Sequence, residues 1–134
     1  MTTYYVDSSV GMYLLTGASP SAATWFDGLM ADAGNQVISS RILQTEMIRT
    51  CRRDGDDPQR AVEFSAAIDL IPIGNTILQL AELIEPHLKT LDAIHLASVL
   101  ALGDPEAVVA THDARMRTVA RGLGFVTVDP VEAA

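Results

Sequence analysis

The sequence predicts an α/β protein built on a mostly parallel sheet. Three observations carry that expectation. Short runs of β-branched residues alternate with longer helical runs along the whole chain. Turn signals such as the DGDDP segment at 54–58 and the glycines at 122 and 124 separate the runs instead of interrupting them. Of the 134 residues, 49% are hydrophobic and only 19% charged, which is too apolar for a disordered chain. A chain of this length buries roughly two thirds of its unfolded surface, so one domain over 1–134 is expected.

In order along the chain, a first strand covers 4–6 and stops at Asp7. A short helix is expected over 10–15. A second follows over 21–33, with Trp25, Leu29 and Met30 on one face. A strand over 36–39 ends in Ser39 and Ser40, residue types that cap helices, and a helix over 42–53 comes next. Pro58 suits the first turn of a helix that runs to about residue 68. A strand over 70–73 and a helix over 75–84 precede Pro86. The next helix opens at Thr90 or Leu91 and closes before Gly103, a usual C-terminal signal. A strand over 107–110, a helix over 113–121 and a strand over 125–128 complete the pattern. In open α/β sheets ligands bind beyond the carboxyl ends of the strands, so chemistry is expected at that edge.

Four acids fall where that rule points. Asp7 follows the first strand and Asp113 the fourth. Glu46 and Asp92 lie in apolar helical stretches, with Met47 and Ile48 after the one and Ala93 and Ile94 after the other. Each has an ordinary explanation alone: Asp92 favoured by a helix dipole, Glu46 paired with Arg49 three residues on. Together they describe a carboxylate cluster, whose members stay ionised only beside a cation. Hard oxygen ligands select Mg²⁺, with Mn²⁺ as a substitute. His87, His95 and His112 lack zinc-ligand spacing. The chemistry such an acidic site serves is phosphodiester or phosphoryl transfer.

These residues resemble the PIN-domain family, in particular VapC-like toxins of type II toxin–antitoxin pairs. The resemblance rests on YVDSS at 5–9, Glu46, TLDAIHLA at 90–97 and THD at 111–113, in that order across the chain. It implies a three-layer α/β/α sandwich around a central, mostly parallel five-stranded sheet. It further implies a Mg²⁺- or Mn²⁺-dependent endoribonuclease that forms a homodimer and is neutralised by a cognate antitoxin. The family's catalytic and metal-binding acids map onto Asp7, Glu46, Asp92 and Asp113. Its supporting hydroxyls map onto Ser8, as an orienting contact for Asp7, and onto Thr111.

Other features set further expectations. The net charge is −8, from 9 basic and 17 acidic residues, so RNA capture depends on local arginines rather than the global field. On the helix over 42–53, residues 46, 49, 50 and 53 share a face, which nominates Arg49 and Arg53 for phosphate contacts. Arg117 is expected to pair with Asp113, four residues earlier. His95 reads as a packing or capping residue, and His112 as pointing away from the acids. A cytoplasmic protein is expected: Cys51 is the only cysteine, the first residues lack a signal-peptide pattern, and glycine and proline break the uncharged stretch over 8–26. A haloacid-type phosphatase requires an aspartate where Ser9 stands. A phosphotransfer receiver requires a lysine at a late strand end, and Lys89 precedes a helix. The remaining alternative is a non-catalytic binding module that acts through its antitoxin and represses its own operon.

Overall fold

The computed structural model describes residues 1–132. Five parallel strands form one sheet in the order β3-β2-β1-β4-β5. They are β1 (Thr2–Val6), β2 (Asn35–Ser40), β3 (Asp69–Ile71), β4 (Val108–Ala110) and β5 (Val126–Val128). The helices are α1 (Ser8–Thr16), α2 (Pro20–Met30), α3 (Arg41–Asp54), α4 (Gln59–Ala66), α5 (Asn75–Glu82), α6 (Thr90–Ala101) and α7 (Ala114–Gly122). The central strand β1 sets Tyr4 opposite Val37 on one side and Val108 on the other.

Side chains alternate across the strands, so neighbouring residues feed two different cores. Tyr5, Ile38 and Val109 pack with Leu96 and Val99 of α6 and Met116 and Val119 of α7. Val6, Val37 and Ala110 pack with Val10 of α1 and Leu43 and Met47 of α3. Helices thus cover both faces of the sheet, the expected three-layer sandwich. Leu96 and Leu43 are fully buried, each contributing about 1.5–3 kcal/mol of transfer free energy.

Several elements differ at their ends from the sequence expectation. Helix α2 stops at Met30, short of residue 33, because Asp32 builds the turn into β2. Its carboxylate accepts from Gly34 N–H at 2.8 Å and its carbonyl from Asn35 N–H at 3.0 Å. Met30 is therefore exposed, while Trp25 and Leu29 pack as expected. Strand β3 ends at Ile71 because Pro72 has no N–H to continue the ladder. Ser40 caps α3, accepting from Ile42 N–H at 3.1 Å.

Two features position the site. The sheet reverses its direction of winding between β1 and β4, which opens a crevice beyond their carboxyl ends. Helices α1 and α3 also meet closely at Gly11, where a Cβ would lie 2.7 Å from Leu43 Cδ1. That contact brings the start of α1 beside the middle of α3.

Candidate active site

Asp7 and Asp113 follow β1 and β4, the strands flanking the crevice, and both are helix N-caps. Asp7 Oδ1 accepts from Val10 N–H at 3.1 Å and from Ser9 Oγ at 2.7 Å. Asp113 Oδ1 accepts from Met116 N–H at 2.8 Å. Ser9 Oγ accepts in turn from His112 N–H at 2.9 Å, and Thr111 Oγ1 from Asp113 N–H at 3.0 Å. One hydroxyl-lined seam therefore stitches the end of β1 to the end of β4. Asp7 is 2% exposed. Burial raises its pKa above the ordinary carboxylate value, and hydrogen bonds from Thr111, Ser9 and Val10 N–H oppose the rise.

The residue that orients Asp7 is Ser9, not Ser8. Ser8 lies one position round the first turn of α1 and faces α3 instead. Its hydroxyl donates to Glu46 Oε1 at 2.5 Å and contacts His95 Nε2 at 2.7 Å. His95 Nε2 is also 3.0 Å from Glu46 Oε1, and His95 Nδ1 is 2.7 Å from the Tyr5 hydroxyl. His95 has no exposed surface, so it packs as expected, but both of its ring nitrogens are also engaged. Burial lifts the Tyr5 phenol above its ordinary value, which keeps its proton in place.

Asp92 stands in the first turn of α6, whose N-cap position, Lys89, makes no side-chain hydrogen bond to the helix. The field of that helix terminus therefore falls on the carboxylate. Burial raises the Asp92 pKa, and the charges of Asp113, Asp7 and Glu46 raise it further. The other three acids thus all act on Asp92. Among the described residues none of the four pairs with an arginine or lysine. Among the described residues no three of these acids bring an oxygen each within 4.8 Å of one another. A set of four oxygen donors left without a protein cation suits a hard divalent ion.

Arg49 forms no pair with Glu46, whose carboxylate is turned to Ser8 and His95. A cleft of about 560 Å³ opens beside Glu46, lined by Met12, Ile42, Glu46, Arg49, Thr50 and Arg53. The shared face expected of 46, 49, 50 and 53 is therefore a cleft wall. Arg53 is partly committed, donating to Asp54 at 2.8 and 3.2 Å.

Arg117 does not pair with Asp113, which spends an oxygen on capping α7; its Nη2 lies 3.7 Å from Asp129 Oδ2. His112 turns to the same acid, with Nδ1 2.9 Å from Asp129 Oδ2, and stacks edge-on against Tyr13. Among the described residues, His112, Asp129 and Glu132 are the group whose ligand atoms approach within 4.8 Å, and Arg117 already stands against it. Sequence reasoning passed over Ser9 and the polar role of His95. The one available signal was a serine two residues after a strand-end acid, a spacing that favours local side-chain hydrogen bonds.

A doubly wound α/β sandwich that gathers four carboxylates at the switch point of its sheet defines an acidic-site α/β domain. The PIN domain family model matches residues 4–122, and the chain belongs to the PIN-domain family. Ribonuclease VapC47 of Mycobacterium tuberculosis is 30% identical over 131 residues, spanning 94% of this chain and 96% of that one. Ribonuclease VapC45 of the same species is 35% identical over 140 residues, spanning 92% and 93%. The fold is that of VapBC2 from Rickettsia felis bound to a promoter DNA fragment, with a TM-score of 0.73 at 11% identity, covering 95% of this chain and 98% of that one. It is also that of VapC20 from M. tuberculosis, a toxin that cleaves the sarcin–ricin loop, with a TM-score of 0.68 at 19% identity, covering 95% and 99%. Ribonucleases of the PIN-domain family use a divalent metal ion. Among the described residues no helix is long and apolar enough to cross a membrane.

Proposed function

We propose that the chain is a divalent-metal-dependent endoribonuclease, the toxin of a toxin–antitoxin pair, inhibited by a cognate antitoxin. The observation that carries this reading is that Asp7, Glu46 and Asp113 all bear on Asp92 at the β1/β4 crevice with no arginine or lysine pairing among the described residues, in a chain related along its length to VapC ribonucleases. The one-domain chain works as a homodimer in the cytoplasm.

The four acids hold Mg²⁺, or Mn²⁺ in its place. The bound cation supplies Lewis-acid activation of water and charge neutralisation at the scissile phosphodiester. The protein positions its groups for that chemistry in advance. Ser9 and Thr111 fix Asp7, the N-terminus of α7 fixes Asp113, and Ser8 fixes Glu46. Three helix N-termini, those of α1, α6 and α7, point partial positive charge at the acids and reduce the cost of gathering them. Arg49, with Arg53 behind it, binds backbone phosphates of RNA along the cleft beside Glu46.

The test is to map RNA ends after brief expression of the wild type beside Asp92→Asn. New, position-specific ends are expected only with the wild type, together with growth arrest that co-expressed antitoxin relieves. Equal cleavage by the Asn variant refutes the assignment of the acids. No cleavage by a folded, Mg²⁺-supplied wild type favours the binding-module alternative.

A further inference from the structure

His95 is fully buried, and both of its ring nitrogens are engaged. It lies on α6, three residues beyond Asp92, yet its ring reaches across to α3 and β1. The hydrogen positions follow from its partners. Ser8 Oγ gives its single hydrogen to Glu46 Oε1, so in its 2.7 Å contact with His95 it accepts, and Nε2 must donate. The same Nε2–H reaches Glu46 Oε1 at 3.0 Å. Nδ1 is then the acceptor for the Tyr5 hydroxyl at 2.7 Å. Tyr5 thereby selects the tautomer that donates toward Glu46, as the partner of the distal nitrogen does in a carboxylate–histidine pair.

Both donors, the serine hydroxyl and the histidine N–H, fall on one oxygen of Glu46. Among the described residues its second oxygen, Oε2, has no hydrogen-bond partner, and the Glu46 side chain is 19% exposed, at the cleft. Without those donors a glutamate on an exposed helix wall has Arg49 within reach one turn away, and the acid would be drawn off toward it.

We infer that Tyr5 and His95 form a buried positioning pair for Glu46, holding one carboxylate oxygen so that the other is left for the divalent cation. The inference rests on the proposed reading of Glu46 as a metal-contacting acid. It makes Tyr5 and His95 determinants of metal affinity although neither touches metal or RNA. A purely structural histidine, by contrast, affects folding alone.

The experiment measures Mn²⁺ binding by calorimetry or electron paramagnetic resonance, on full-length protein whose fold is verified by circular dichroism. His95→Gln keeps a donor near the Nε2 position, whereas His95→Asn reaches only the Nδ1 position. His95→Asn is expected to raise the Mn²⁺ dissociation constant about 10- to 100-fold, the usual effect of removing a partner of a metal ligand. His95→Gln is expected to stay within about threefold of wild type, less than the loss of one neutral hydrogen bond. Tyr5→Phe removes one oxygen and is expected to weaken binding by about three- to tenfold, a single neutral hydrogen bond's effect. Equal losses in the Gln and Asn variants, or wild-type affinity in folded His95→Asn, overturn the inference. If His95→Asn does not fold, Tyr5→Phe decides alone, and wild-type affinity there overturns it. Glu46→Gln is measured in parallel. Unchanged affinity in that variant defeats the reading of Glu46 itself, whereas a loss there with none in the His95 and Tyr5 variants defeats only the positioning pair.

Discussion

Asp7→Asn should separate the two roles of the carboxylate, because it removes charge while keeping shape. Asp7 Oδ1 accepts both the Val10 N–H and the Ser9 hydroxyl, and an asparagine oxygen can still accept both, without the charge assistance of a carboxylate. Asparagine is also as good an N-cap as aspartate, so α1 loses nothing. What disappears is a buried charge that burial already disfavours and that repels Asp92. In chelator the variant should therefore be as stable as wild type or more so, by up to about 1 kcal/mol, which for a chain of this size is roughly 3–5 °C in Tm. In Mg²⁺ the order should invert. A site held at 100 times its Kd adds about 2.7 kcal/mol to wild type, roughly 10 °C, and most of that increment should vanish in the variant. RNA cleavage should fall by more than about 100-fold, since loss of a direct ligand should exceed the 10–100-fold cost of losing an outer partner. Differential scanning calorimetry with and without Mg²⁺, beside a gel assay of RNA cleavage, reads all three quantities. An Asn variant that melts several degrees lower in chelator, or that keeps the full Mg²⁺ increment, would refute the reasoning.

Further predictions concern pH, RNA and packing. Asp7 and Asp92 both have raised values in the folded chain, so between the ordinary carboxylate range and those values the folded state binds more protons than the unfolded. Without divalent metal, stability is then present at the acid side of that window and lost as pH rises through it. The Tm in chelator should climb as pH is lowered from neutral toward the ordinary carboxylate range, and a flat or opposite slope contradicts the shifts. Arg49→Ala should weaken RNA binding to a metal-inactive variant and reduce the salt slope by about one. Arg53→Ala should do less, because that guanidinium is already held by Asp54; filter binding across a salt series compares them. Gly11→Ala places a methyl 2.7 Å from buried Leu43, an overpacking cost of about 1–3 kcal/mol set against about 1 kcal/mol of gained helix propensity. The net loss, about 1 kcal/mol, should appear as a lower urea midpoint at unchanged m-value; a raised midpoint would show that α1 and α3 have room to separate.

The strands and helices were legible because the signals that set them act along the chain. The β-branched runs, the Ser40 cap and the glycine after α6 are local signals. The rule that ligands sit at carboxyl ends turned Asp7 and Asp113 into candidates before any contact was known. The acids themselves were readable because an acid inside TLDAIHLA or before MI is costly without a purpose. The hydrogen-bond partners were not readable. Whether Ser8 or Ser9 serves Asp7 depends on the first turn of α1, where one residue rotates a side chain by about 100°. His95 sits in an apolar stretch and looked like filling, since its partners, Tyr5 and Ser8, are 90 and 87 residues away. The expected Arg117–Asp113 pair and the alternative Glu46–Arg49 pair are both absent for one reason. Helical spacing brings such residues within reach, but competing donors, a helix N-terminus in one case and Ser8 with His95 in the other, claimed the carboxylates first.

The seam between β1 and β4 has a temporal consequence. Asp7 N–H donates to the carbonyl of Ala110, and the His112 amide reaches Ser9 across 103 positions. The seam beside Asp7 therefore depends on residues 108–113 docking beside β1. A ribosome part-way through this message carries a nascent chain with Asp7 and Glu46 but without the Ala110 carbonyl and the Thr111 and His112 partners across the seam. The seam is complete only once residues 110–113 have been made and have docked beside β1.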